Sequence, residues 1–98
     1  MGDKYILRGK KAVRCNDVKK WARWFETADR HVAASVNSKA RVSTVFLGLN
    51  HQWGHGEPLL FETMIFGGEH DQYQERYSTW DEAEAGHKKA CELAGVEP

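Results

Sequence analysis

Apolar and polar positions follow two different periods along the chain. From Asn16 to about Ala33 the period is three to four. Val18, Trp21, Phe25, Ala28 and Val32 form one stripe, with Lys19, Lys20, Arg23, Glu26, Asp29 and Arg30 on the other sides. This spacing predicts an amphipathic helix. Asn16 or Asp17 would cap it, since a short polar side chain accepts from the free N–H groups of the first turn. A second stripe, Trp80, Ala83, His87, Ala90, Cys91 and Ala94, predicts a helix that opens on the capping box Thr79-x-x-Glu82 and closes on Gly95. Gly86 inside it costs ~1 kcal/mol against alanine, so either close packing explains it or it has no evident purpose.

The period is two from Arg41 to Leu49 and from Leu59 to Phe66. Val42, Thr44 and Phe46 share one face, as do Leu59, Phe61, Thr63 and Ile65. The opposite faces are also largely apolar, which predicts central strands at least partly covered on both sides. "SVNSKA" reads as a polar connection and "EHDQYQERY" as a charged loop. "YILRGKKAV" is a weak hairpin signal, with Gly9 at the turn. The expected fold is α+β: a single compact domain over residues 1–98, in the order ββ-α-ββ-α, with both helices packed on one small antiparallel sheet. Trp21, Phe25, Phe46, Phe61, Ile65 and Trp80 are the expected core. Glu62 shares a face with Leu60, Met64 and Phe66, so it needs a partner; a base from the first helix is the natural expectation.

Composition narrows the function classes. Fourteen basic and 14 acidic residues cancel, which argues against general nucleic-acid binding. The bases are nonetheless gathered in the N-terminal third, at Lys4, Arg8, Lys10, Lys11, Arg14, Lys19, Lys20 and Arg23, and the stretch from Glu57 to Glu84 leans acidic. Two such poles suit self-association or a charged partner. No run approaches the ~20 apolar residues of a membrane helix, and "MGDKYILRGKKAV" lacks the apolar core of a signal peptide. Cys15 and Cys91 form no disulfide framework. A cytoplasmic protein with reduced thiols is expected.

The segments "KKWARWFETADRHVA", "VSTVFLGLNHQWGHGEPLLFETMIFGG" and "YQERYSTWDEAEAGH" resemble a group of small proteins encoded by bacteriophages and prophages, with no assigned activity. The resemblance covers most of the chain and implies a genomic setting, in the cytoplasm of a host cell. It transfers no site residues.

Candidate chemistry centres on "NHQWGHGE", residues 50–57. His51 and His55 are four apart, and Glu57, His70 or Asp71 could complete a metal site. Gly54 and Gly56 disfavour the helix that would align both rings, so no metal or cofactor is expected. Exposed aromatics beside arginine are common interface anchors and can also stack on a nucleobase. Trp53, His55, His51, Tyr73, Arg76, Tyr77 and Trp24 are therefore the candidate binding residues. No Walker loop, GxGxxG, GxSxG or HExxH is present, which weighs against an enzyme. The expectation is an accessory protein that inhibits a host or anti-phage defence protein, by a surface of Trp53, His55 and the 68–77 loop, and that forms a homodimer. The alternatives are a sponge for a nucleotide signal and a small metal-dependent hydrolase.

Overall fold

A computed structural model describes residues 3–52 and 54–98. The chain is α+β, with two antiparallel sheets and two helices. Strands β1 (Tyr5–Arg8) and β2 (Lys11–Arg14) form a hairpin. Its two-residue loop has Gly9 at φ +63 in the first position, where a type II′ turn requires it. Helix α1 (Val18–Thr27) starts at Asp17, whose carboxylate accepts from the N–H groups of Lys19 and Lys20.

α1 ends earlier than the stripe predicts. Ala28 is already extended, and Asp29 turns its carboxylate onto the N–H of His31. That bond gives the backbone an alternative to another helical turn. The next residues form strand β3 (His31–Val36), so Val32 belongs to a strand and "SVNSKA" is half strand, half turn. Strands β4 (Arg41–Phe46), β5 (Phe61–Phe66) and β6 (Gln74–Tyr77) follow, and helix α2 (Trp80–Ala94) ends the fold. β3-β4-β5-β6 make a four-stranded meander in chain order. The order is thus ββ-α-ββββ-α rather than ββ-α-ββ-α, and the loop expected at 69–77 contains β6.

α2 covers one face of the meander. Val42, Thr44 and Phe46 on β4, and Phe61, Thr63 and Ile65 on β5, point towards it and are buried. The opposite side chains, Ser43, Val45, Glu62, Met64 and Phe66, are half-buried, and Arg41, Gln74 and Arg76 are exposed. This second face is covered in part: side-chain packing, including Arg41 over the ring of Phe66 at 4.6 Å, shields it without a further layer of secondary structure among the described residues.

The core beneath α2 is two apolar clusters, one of Ala40, Val42, Ile65, Ala90, Cys91 and Val96, the other of Phe46, Leu60, Phe61 and Ala83. A buried polar seam lies between the two on the inner face. His87 on α2 bonds the Ser35 hydroxyl at 2.9 Å through Nε2 and the Thr44 hydroxyl at 2.8 Å through Nδ1; Thr44 bonds Thr63 at 2.5 Å. Buried polar groups survive because they are paired this way. Ile65 is therefore in a different cluster from Phe46 and Phe61. Trp80 is half-buried beside Phe61, while Trp21 and Phe25 stack on each other outside both clusters. One continuous core of all six residues is not what forms.

Of the two alternatives for Gly86, close packing is the one the structure shows. A Cβ there would lie 2.1 Å from the Tyr77 ring, so only glycine lets α2 settle over β6. At the far end of α2, Gly95 is left-handed, and the N–H of Val96 reaches Cys91 O at 2.9 Å while that of Gly95 reaches Glu92 O. This is a Schellman closure. Asn37 ties the β3–β4 turn to it, donating from Nδ2 to Gly95 O at 3.0 Å.

Candidate functional site

The β1–β2 hairpin joins the meander at one end. Lys4 pairs with Leu49, the N–H of Tyr5 donates to Gly48 O, and that of Cys15 to Lys4 O. Trp21 Nε1 donates to both Tyr5 O and Gly48 O at 3.0 and 3.1 Å, which locks α1 to the same junction. Tyr5, Leu7 and Ala12 of the hairpin pack against the Phe46–Phe61 cluster.

Between the hairpin and the start of α2 lies a groove of about 530 Å³. Tyr5, Leu60, Phe61 and Trp80 supply apolar and aromatic wall, and Pro58 forms part of the rim. Arg8, Lys10 and Lys11, at the hairpin turn, supply positive charge. All three are exposed, and among the described residues none is in an ion pair. The Lys10 ammonium lies 5.9 Å from the centre of the Trp80 ring, within cation–π range. Asp81 is the one acid in the lining.

The helix end itself offers less to an anion than its position suggests. Thr79 Oγ1 accepts from the N–H of Glu82, and the Glu82 carboxylate accepts from the N–H groups of Ser78 and Thr79. These donors are taken, and the acids Asp81 and Glu82 occupy the first turn. The positive side of the groove is therefore the hairpin tip. Trp80 Nε1 is buried without an acceptor among the described residues.

The candidate residues read from the sequence are dispersed. The 50–57 loop precedes β5 and the 67–73 segment follows it, so a six-residue strand of about 20 Å separates the two. They do not form one surface. His51 and His55 are likewise at the other end of β5 from His70 and Asp71, so those four cannot share a metal. No group of three or more His, Cys, Asp or Glu among the described residues could hold one. His51 is half-buried, with Nδ1 at 2.9 Å from Leu49 O, and His55 is exposed. Trp53 lies outside the described residues.

The remaining candidates serve packing and pairing. Trp24 meets Phe46 edge-on at 5.7 Å. Tyr73 packs on the Val42–Ile65 cluster and Tyr77 on the Phe46–Phe61 cluster; burial first raises both phenols above the usual tyrosine range. Arg76 lies directly across from Glu62 and pairs with it at 2.9 Å, and Gln74 donates to the same carboxylate. The partner of Glu62 comes from β6, not from the first helix. Reading residues singly missed the groove: the sequence carries its parts, three bases around Gly9 and an aromatic opening α2, but not their meeting. The seam had a signal too, a threonine at the inward position of each central strand.

The groove brings an aromatic wall together with the exposed bases Arg8, Lys10 and Lys11 and the polar side chains of Ser78, Thr79 and Asp81. In comparisons with known proteins, no family model, curated protein or solved structure matches the chain.

Proposed function

We propose that the protein is a phage-type accessory protein acting by binding rather than catalysis, and that its hairpin–helix groove captures a nucleotide. One observation carries this reading: three exposed cations, in no ion pair among the described residues, line one cavity together with an aromatic wall. A phosphate answers Arg8, Lys10 and Lys11. A base, offered to Tyr5 and Trp80, gains stacking of ~1–3 kcal/mol. Sequestering a nucleotide signal in the host cytoplasm is the corresponding role. Calorimetry against linear and cyclic nucleotides tests it. Binding is expected to weaken with salt and to be lost in Arg8→Glu/Lys10→Glu, both exposed positions. No heat with any nucleotide at millimolar concentration sinks it.

The second reading is inhibition of a host or defence protein. What favours it is the open face of the meander, where Val45, Met64 and Phe66 remain half-buried beside Arg41. Apolar anchors ringed by polar groups are the usual make-up of an interface. A host protein retained by the wild type and lost with Phe66→Ser and Met64→Ser, under conditions where Lys10→Glu still retains it, selects this reading over the first.

A further inference from the structure

The two edges of the meander are built differently. β6 has four residues, carries Glu75 and Arg76, and turns Arg76 onto Glu62. Short length and charge keep a second strand away from such an edge. β3 has six residues, "HVAASV", with no lysine, arginine or carboxylate. A bulge disturbs its first positions, but Ala33 to Val36 pairs regularly with Thr44 to Arg41. Ala34 is exposed, and Val36, at 69%, is the most exposed large apolar side chain among the described residues. The outer side of an edge strand presents backbone donors and acceptors that match another extended strand. Alanines at 33 and 34 add little bulk to this edge, beside which Glu84, Lys88 and Pro98 line a shallow cleft.

We propose that β3 is an interface for a second copy of this chain, pairing antiparallel with its own counterpart about a two-fold axis and joining two four-stranded sheets into one. The flanks of the strand select this occupant. Asp29 precedes β3 with its side chain 83% exposed, and its carboxyl is held below the usual range, first by the bond from the His31 N–H. Lys39, also exposed, follows β3. Antiparallel self-pairing brings the acidic flank of each copy towards the basic flank of the other, twice. Parallel pairing would set like against like. Arg30 does not cancel the acidic flank, because its guanidinium turns inward over Phe25 at 4.1 Å and donates to Phe46 O. A two-fold axis makes such a contact self-complementary. The pairing also covers the cleft of about 260 Å³ between β3 and α2, lined by Ser35, His87 and Lys88 among others, where the polar seam comes nearest to solvent.

Light scattering across a wide concentration range tests the proposal, with circular dichroism to verify folding. The wild type is expected to pass from monomer to dimer. Ala34→Lys sets two new lysines close to the axis, where like charges are strongly unfavourable, and is expected to weaken dimerisation about tenfold or more. Gln74→Lys, on the β6 edge, should leave it unchanged. Asp29→Lys and Lys39→Asp should each weaken it about two- to fivefold, as expected of exposed ion pairs, and the double exchange should restore it. A chain that stays monomeric throughout, or a dimer indifferent to Ala34→Lys, overturns the proposal.

Discussion

Both helices carry an apolar stripe, and the two do different work. α2 buries Ala83, Gly86, His87, Ala90 and Cys91 and spans all four strands of the meander. α1 has no fully buried residue. Its Trp21 and Phe25 stack at 4.8 Å and rest on Gly48, while Val18, on the same stripe, is 58% exposed. A stripe states which side of a helix is apolar. It does not state how much surface is waiting to receive it. α2 meets a sheet face, whereas α1 meets a junction between the hairpin and the end of β4, where Trp21 and Phe25 rest and Trp24 reaches Phe46.

That contrast can be broken from the α2 side with the largest effect. Phe61 is completely buried between Phe46 and Trp80. Phe61→Ala should cost ~3–5 kcal/mol, a large part of the 5–15 kcal/mol of an ordinary domain. Thermal denaturation reads it, and an unchanged midpoint would contradict the packing described. Next is Gly86→Ala. In an exposed helix this change gains ~1 kcal/mol. Here the new methyl group meets the Tyr77 ring, and overpacking of ~1–3 kcal/mol should win. Urea titration should show a net loss, partly recovered in the double variant with Tyr77→Ala.

The α1 side should give smaller, local losses. At Gly48 the backbone sits at φ +78, and a Cβ would lie 2.9 Å from the Phe25 ring. Gly48→Ala should cost about 1–2 kcal/mol. Hydrogen exchange should rise first in α1 and the hairpin, leaving α2 protected. Equal loosening of both helices would show that α1 is as integral as α2.

The smallest effect needs no mutation. Burial holds the His87 imidazole below its ordinary pKa, so the ring is neutral in the folded seam and takes up a proton more readily once unfolded. Stability from this source is complete above the ordinary histidine pKa of about 6.5 and declines as pH falls below it towards the folded value. Denaturation midpoints at pH 7.5 and pH 5.5, for wild type and His87→Gln, should differ more for the wild type. Equal pH dependence in the two proteins would place the titration elsewhere.

The meander's central strands, the capping box and the Gly95 closure were legible because each depends on local chemistry with a fixed spacing. The stripe of α1 was legible too, but its end was not. Val32 continues the helical spacing across Asp29, and only the carboxylate's turn onto His31 breaks the helix. β6 escaped because an edge strand needs little apolar character: "QERY" keeps Tyr77 inward and gives its other positions to one neutral polar and two charged side chains. The groove escaped for another reason. Arg8, Lys10 and Lys11 are distant from Trp80 in sequence, and the docking of the hairpin beside α2 is a tertiary event that no period encodes. The same holds for the seam, where Ser35, Thr44, Thr63 and His87 come from four separate elements.

The meander has one further consequence, in time rather than in space. Its strands lie side by side in the order in which the chain presents them, so each pairing is a hairpin between neighbours. Closing such loops costs little entropy, since the cost rises only slowly with length. Local pairings of this kind shorten the search for the native state. Only α2, arriving last, has to reach back to β3. The meander can therefore assemble progressively, each hairpin templating the next, with docking of the final helix as the step that completes the core.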